Sequence, residues 1–190
     1  MEKVIINDKM RKKCWDFAKE IIDEDNQYNR MLPNGINSKE KYELRIQRTY
    51  VGKLAELAFY KYLLQEGKSV DIKDMFKIKE GQTNVDEYDF ETKYKETIDI
   101  KAAYKSNHKR LMVNLEQLQN VSKDYYVGIK LNAKEQGKYL IEKDSITEAV
   151  IWGYCTKEDL MKQPVISFET PAKAIFLNNL RPIKDLIKKF

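Results

Sequence analysis

The sequence predicts a mixed α/β or α+β fold in which helices come first, a cluster of strands follows and short helices close the chain. Apolar residues in the first third recur at helical spacing, and short apolar runs separated by polar turns follow Gly67. A content of 42% hydrophobic residues in a chain of 190 supplies enough apolar surface for one packed core. This order of elements is typical of helices packed on a sheet.

We expect a single domain. Residues 1–66 are mainly helical, residues 67–145 form the strand-rich core, and residues 146–190 add C-terminal strand and helix elements. No internal repeat, proline-rich linker or Gly/Ser tract divides the chain, and the loop-like stretch Met31–Ser38 is too short to separate two cores.

Helices are predicted at both ends of the chain. Apolar periodicity predicts helices over Lys9–Asp25 and Lys39–Gln65. Thr156 and Asp159 have the spacing of a capping box and should begin a short helix that runs through Met161. Pro182 suits the first turn of a final helix that ends near Phe190.

Strands are predicted in the middle of the chain, where short β-prone runs lie between polar turns. These runs are Tyr88–Phe90, Thr97–Lys101, Tyr125–Leu131 and Lys138–Ile141. The segment Glu91–Glu96 between the first two runs is polar, so these two strands should pair as a hairpin.

Composition excludes several classes of protein. The two cysteines, Cys14 and Cys155, lie far apart and His108 is the single histidine, so a zinc site built from Cys and His is not supported. A Ser-His-Asp triad could use no histidine other than His108. No run approaches the roughly 18–20 apolar residues that cross a bilayer. The N-terminus also lacks the apolar stretch of a secretory signal. We therefore expect a cytoplasmic protein without membrane contact.

Positive charge is concentrated after Lys101. Residues 51–100 carry 8 basic and 11 acidic side chains, whereas residues 101–190 carry 16 and 10. The run Lys101–Arg110 has four positive charges and no negative one, a composition expected where phosphates bind, although a solvated loop has the same composition.

The run Ile98–Lys101 sets a carboxylate beside an ammonium. Alternate strand residues share a face, so Ile98, Ile100 and Ala102 should enter the core. Thr97, Asp99, Lys101 and Ala103 should then project together from the other side. An amphipathic edge strand with a solvent-exposed face would show the same pattern.

A second acid, Asp89, lies one short turn upstream. Its neighbours Tyr88 and Phe90 should point away from it, so their burial would bring Asp89 out on the face where Asp99 can also lie. Two close carboxylates repel unless a cation lies between them, and a set of oxygen ligands favours Mg²⁺ or Mn²⁺. The pair therefore predicts a divalent metal site.

A third acid, Glu56, lies in the most apolar turn of the second helix. Gly52 precedes it by four residues on the same helical face, and a glycine inside a helix costs about 1 kcal/mol relative to alanine. Its presence indicates close approach by backbone, metal or ligand. A simple ion pair between Glu56 and Lys53, or a solvent-exposed Glu56, would also fit the sequence.

Glu56 on an early helix, Asp89 on one strand and Asp99-Ile100-Lys101 on the next resemble the PD-(D/E)XK nuclease superfamily, which has the restriction-endonuclease-like fold. The resemblance covers residues 50 to about 131, and Tyr125–Leu131 fits the next strand of that core. The chain differs at Tyr88, where the family has its proline, so Asp86 remains an alternative to Asp89 as the first acid.

The resemblance implies a mixed central sheet flanked by helices and Mg²⁺-dependent hydrolysis of DNA. Asp89, Asp99, Glu56 and the carbonyl of Ile100 would hold Mg²⁺, with Mn²⁺ as a substitute. Lys101 would position water and stabilise charge rather than act as a free base. Gln117 would add a polar contact, unless it is an ordinary surface glutamine of the following helix.

DNA is the implied partner. Lys105, Lys109 and Arg110, with Tyr104 and His108 between them, would contact the phosphate backbone. The amides of Gly81–Asn84 would either meet adenine edges or form a turn. A restriction enzyme that cuts both strands would be a homodimer.

Three other interpretations compete with a restriction enzyme. A structure-selective nuclease, such as a junction resolvase or a phage recombination nuclease, would carry the same catalytic residues. The chain could also be an inactive DNA-binding module, or a structural α/β protein whose carboxylates meet by coincidence.

Overall fold

The computed structural model describes residues 1–23, 32–33, 35–77, 88–167 and 170–190. Its helices are α1 (Asp8–Asp23), α2 (Ser38–Gln65), α3 (Leu115–Asn120), α4 (Lys157–Met161) and α5 (Ile183–Ile187). Its strands are β1 (Glu2–Ile5), β2 (Phe90–Glu91), β3 (Thr97–Ala103), β4 (Arg110–Asn114), β5 (Tyr125–Leu131), β6 (Lys134–Gln136), β7 (Leu140–Glu142), β8 (Glu148–Thr156), β9 (Val165–Ser167) and β10 (Pro171–Phe176).

The main sheet has five strands in the order β1-β8-β5-β3-β2. β3 and β5 run parallel, whereas the other neighbouring pairs are antiparallel. Strands β1 and β8 come from outside residues 67–145, so all three parts of the chain contribute to this sheet. The fold is therefore mixed α+β with a mixed sheet.

Helix α2 covers one face of the main sheet. Its fully buried residues Leu54 and Phe59 share one apolar cluster with Ile98 of β3 and Val127 of β5. The ring of Phe59 also meets that of Phe90 edge-on, with 5.1 Å between their centroids. The capping box of Asn37 and Glu40 starts the helix one residue before the predicted position.

A smaller three-stranded sheet, β4-β10-β9, covers part of the opposite face. Leu111 and Val113 of β4 form a second apolar cluster with Tyr126 of β5 and Ile175 of β10. Ala103, which was expected to project with the polar side chains of β3, is buried. The β3 strand is second from the edge of its sheet, because β2 pairs with its first two residues, Thr97 and Ile98, and the rest of β3 has no β2 neighbour.

Several predicted boundaries need small corrections. The first helix is preceded by β1, a four-residue edge strand that the sequence analysis missed. Strand β2 is shorter than expected and begins at Phe90. Pro182 lies just before α5, which ends at Ile187 rather than near Phe190. The capping box of Thr156 and Asp159 is confirmed at the start of α4.

None of the helices in the described ranges is both long and apolar enough to cross a bilayer. Cys14 and Cys155 are both buried free thiols.

Candidate active site

Glu56, Asp89, Asp99 and Lys101 border one cleft of about 810 Å³. Glu56 comes from α2, Asp89 from the bend before β2, and Asp99 and Lys101 from β3. The cleft lies beside the part of β3 that the short strand β2 does not pair with. Gly52 lines the same cleft. The prediction that these residues border one cleft is thus confirmed.

Asp99 and Lys101 form a close ion pair on β3. The Lys101 Nζ lies 2.7 Å from the Asp99 Oδ2, and the two side chains are only 23% and 13% exposed. Alternation along the strand puts both on the face that meets the smaller sheet. The interpretation of an amphipathic strand with a solvent-exposed face is therefore wrong.

Gln117 of α3 connects both members of this pair. Its Nε2 donates to the Asp99 Oδ2 at 2.9 Å, and its Oε1 accepts from the Lys101 Nζ at 3.1 Å. The helix is oriented at its start by Asn114, whose side chain accepts from the Glu116 amide. Gln117 is thus part of the cleft, and its interpretation as an ordinary surface glutamine is wrong.

Asp89 lies along the exposed edge of β3. Its amide donates to the Ile98 carbonyl at 3.0 Å, and its Oδ2 accepts from the Ile100 amide at 2.7 Å. In an extended strand the amide and carbonyl of one residue point to the same side, so the Ile100 carbonyl faces this edge as well. Of the two flanking aromatics, Phe90 is buried as expected, whereas Tyr88 is 37% exposed.

The electrostatic surroundings of Asp89 are unfavourable to its charge. Burial raises the pKa of the Asp89 carboxyl well above its usual range, and the negative charges of Glu56 and Asp99 raise that pKa further. The hydrogen bond from Ile100 and the charge of Lys53 lower it. Three acids therefore influence one another here, as expected for a site that receives a cation.

Glu56 is held by a buried lysine. The Lys53 Nζ lies 2.7 Å from the Glu56 Oε2, and each side chain is 11% exposed. The alternative of an ion pair with Lys53 is therefore correct, and Glu56 also faces the cleft. The two interpretations of this residue are compatible.

Gly52 does not make the close backbone contact that its position in a helix indicated. A Cβ atom added there would meet nothing within 4 Å. The absent side chain instead leaves space in the cleft one turn before Glu56, which is consistent with room for a ligand.

The donor set fits a hard divalent cation in chemical type, because Asp89, Asp99, Glu56 and the Ile100 carbonyl offer only oxygen. Within the part of the chain that the structure describes, no three Asp, Glu, His or Cys side chains form a ready-made metal cage. In this structure the Glu56 side chain pairs with Lys53 and the Asp99 side chain pairs with Lys101.

The predicted DNA-binding residues separate into two groups. Tyr104, Lys105 and His108 line the cleft. Lys109 and Arg110 lie outside it, and the Arg110 guanidinium stacks 4.3 Å from the centre of the Phe176 ring. Sequence proximity suggested one basic patch, but the start of β4 directs Arg110 toward the smaller sheet.

His108 stabilises the turn rather than adding positive charge. Its Nδ1 accepts from the amides of Tyr104 and Lys105, both at 3.4 Å, which requires an unprotonated nitrogen. Burial lowers the pKa of His108 to about 4, and the charges of Lys130 and Lys105 contribute. The ring is therefore neutral at pH 7.

Sequence reasoning missed several residues of the cleft. Arg48, Lys123, Lys138 and Tyr139 also line it. Arg48 lies one helical turn before Gly52, so helical spacing could have identified it. The other three come from segments whose position depends on tertiary packing.

Asp86, the alternative first acid, and the segment Gly81–Asn84 lie outside the described residues. Comparisons of the chain with protein-family models, with curated proteins and with solved structures found no match.

Proposed function

We propose that this chain is a Mg²⁺-dependent deoxyribonuclease of the PD-(D/E)XK type that hydrolyses phosphodiester bonds in DNA, in the manner of a type II restriction endonuclease. The observation that carries the proposal is the convergence of Glu56, Asp89, Asp99 and Lys101 on one cleft. Unrelated surface acids avoid one another unless a cation compensates them, so three from separate elements favour a metal-dependent reaction.

Each residue has a role that follows from its surroundings. Asp89, Asp99, Glu56 and the Ile100 carbonyl would hold Mg²⁺ or Mn²⁺. Such a cation, when bound, polarises the phosphate and lowers the pKa of an attacking water. Lys101 keeps an ammonium at the same place and stabilises the negative charge that develops on the phosphate.

Gln117 acts on the orientation of these groups. The Gln117 side-chain amide forms hydrogen bonds with both Asp99 and Lys101, and it therefore holds these two side chains in position relative to each other. Lys53 holds Glu56 in the same way from within the helix. These contacts restrict the rotation of the residues around the phosphate.

DNA is the proposed substrate because the cleft also contains Lys105 and Lys123, whose charges suit a polyanion. A cut in both strands at a twofold-symmetric sequence would require a homodimer. A structure-selective nuclease would use the same residues, and a panel of duplex, flapped and junction substrates separates the two activities.

The test is cleavage of these substrates with Mg²⁺, Mn²⁺ or EDTA by the wild type and by Asp99→Ala. We expect cleavage only with the metals, and a loss of at least about 100-fold in the variant with DNA binding largely retained. Glu116→Ala is a matched control, because Glu116 is an exposed acid beside Gln117 that does not line the cleft. It should cleave like the wild type.

Several results would contradict the proposal. Undiminished cleavage in EDTA or by Asp99→Ala would remove the metal assignment. DNA binding without cleavage of any substrate would favour the inactive binding module, and absence of both would leave the carboxylates coincidental.

A further inference from the structure

The β6–β7 hairpin forms a wall of the cleft that no sequence motif indicated. Its strands pair from Lys134 with Glu142 to Gln136 with Leu140, and Gly137 turns the chain with a φ of 65°. Lys138 and Tyr139, in the loop of this hairpin, border the same cleft as the carboxylates. The hairpin thus brings a cation and an aromatic ring to the candidate site.

This hairpin is held in place from α2. Two paired strands of three residues are marginally stable on their own. Gln47, which is 4% exposed, forms two hydrogen bonds to the backbone of the hairpin with its side-chain amide. Its Nε2 donates to the Tyr139 carbonyl at 3.1 Å, and its Oε1 accepts from the Ile141 amide at 2.8 Å.

A second attachment joins the hairpin to the basic loop after β3. The Ser106 amide and hydroxyl donate to the Glu135 carboxylate at 2.8 and 2.6 Å, and the Lys105 ammonium donates to the Lys138 carbonyl. The loop and the hairpin therefore form one surface, and their lysines are positioned together.

Lys105 and Lys138 of this surface make no direct ion pair. Within the described ranges neither has an acidic side chain at salt-bridge distance, and the Glu135 carboxylate, which Ser106 holds, interacts with Lys105 electrostatically from a greater distance. The Lys138 Nζ lies 5.0 Å from the centre of the Tyr139 ring. In contrast, Lys134 on the same hairpin is 2.8 Å from Glu142 and does not line the cleft.

Cations that make no direct ion pair, beside a cluster of acids, suit a ligand that is long, anionic and able to contact both regions of the cleft. A nucleic-acid backbone has these properties, since its phosphates repeat along the strand and each can meet a separate ammonium. A small anion would meet the cations but would not explain why they border the acids.

We propose that the β6–β7 hairpin holds the DNA backbone across the carboxylate site, with Lys138 as a phosphate contact next to Lys105 and with Gln47 as the positioning residue. This inference rests on the proposed function, in which the cleft binds DNA.

The first experiment compares Lys138→Ala with Lys134→Ala, a matched change of charge on the same hairpin. Binding of a labelled duplex is measured in EDTA over a range of NaCl concentrations. We expect Lys138→Ala to reduce the slope of log affinity against log salt by about 0.9, the value for one lost phosphate contact on duplex DNA. Lys134→Ala should keep the wild-type slope.

The second experiment tests Gln47 with a double-mutant cycle. Gln47→Leu removes both hydrogen bonds to the hairpin and should weaken DNA binding. If Gln47 acts through Lys138, then Lys138→Ala should cost much less in the Gln47→Leu background than in the wild type. Gln47→Glu, which keeps the acceptor for Ile141, replaces Gln47→Leu in the cycle if that variant does not fold.

The outcomes separate this inference from the proposed function. A wild type that binds DNA with the expected dependence on Lys138 but never cleaves would overturn the nuclease and leave the hairpin inference standing. Cleavage with equal salt slopes for Lys138→Ala and Lys134→Ala would overturn the hairpin inference alone. Additive effects in the cycle would remove Gln47 as a positioning residue, and a wild type without DNA binding would overturn both proposals.

Discussion

Replacing Gly52 with alanine should make the protein more stable and less active. Gly52 lies inside α2, where glycine costs about 0.8–1 kcal/mol relative to alanine. A Cβ atom at this position would meet nothing within 4 Å, so the substitution introduces no clash. We expect a gain of about 0.5–1 kcal/mol in the free energy of unfolding, which corresponds to a rise in Tm of roughly 1–4 °C for a chain of this size.

The expected loss of activity follows from where the added methyl group lies. Gly52 and Glu56 line the same cleft, so the methyl group occupies space beside the proposed metal and phosphate site. Thermal unfolding measures the first effect, and the rate of DNA cleavage with Mg²⁺ measures the second. A misplacement of about 1 Å near reacting groups lowers a rate by up to about 100-fold.

Gly67→Ala provides a control of opposite sign. Gly67 follows the end of α2 with a φ of +72° and does not line the cleft, so alanine there should cost about 1–2 kcal/mol without changing the rate of DNA cleavage by the folded protein. If Gly52→Ala lowers the Tm, the open space beside α2 is an incorrect description. If it raises the Tm and cleaves at the wild-type rate, our explanation of why glycine occurs here is refuted.

Two further predictions concern pH. Because the pKa of Asp89 is raised in the folded protein, the contribution of this carboxyl to stability is fully present below about pH 3.8 and is lost as pH rises through the folded-state pKa. In EDTA at pH 8, Asp89→Asn should therefore unfold at a higher urea concentration than the wild type, and the difference should close toward about pH 4. Added Mg²⁺ should stabilise only the wild type, and equal urea midpoints at pH 8 would contradict this account. The lowered pKa of His108 has the opposite sign: its contribution is present above about pH 6.5 and is lost as pH falls toward about 4. The free energy of unfolding of His108→Gln in urea should therefore depend less on pH than that of the wild type in this range. The difference should be no more than about 1 kcal/mol per pH unit, because the ring is partly exposed, and identical pH profiles would refute the assignment.

Local patterns in the sequence predicted the elements that carry the acids. Helix α2 and strand β5 agree with expectation to within one residue, because helical periodicity and a continuous apolar run are properties of the segments themselves. The pairing of β2 with β3 also followed from a short intervening turn. The convergence of Glu56 with Asp89 and Asp99 was expected instead from the resemblance to the PD-(D/E)XK nucleases, because no local pattern places the helix beside the hairpin.

Features that depend on distant pairing were not predictable in this way. The smaller sheet depends on β4 and β10 pairing across a long sequence separation, with Asn114 opposite Ala172, and its apolar residues pack with Tyr126 of β5. The packing of α3 gives Gln117 its contacts with the cleft, and nothing in its own segment indicates them. Alternation along β3 therefore predicted the direction of each side chain but not what covers it.

Gln47 could have been found from the sequence. It occupies the apolar face of α2 between Leu44 and Val51, three residues after one and four before the other. A polar side chain on such a face must find hydrogen bonds inside the protein. The sequence therefore signals a buried polar contact, but only the structure identifies the hairpin as its partner.

The ion pairs reduce the repulsion among the three acids that share the cleft. Converging carboxylates repel one another, and the fold compensates two of them with lysines that are close in sequence, Lys53 for Glu56 and Lys101 for Asp99. Among the described residues, Asp89 accepts the Ile100 amide and has no lysine of its own at salt-bridge distance, so the unfavourable energy of the cluster falls on this residue. A cation that entered the cleft would therefore gain most at Asp89, which is why the stability of Asp89→Asn with and without Mg²⁺ is the most direct test of the metal assignment.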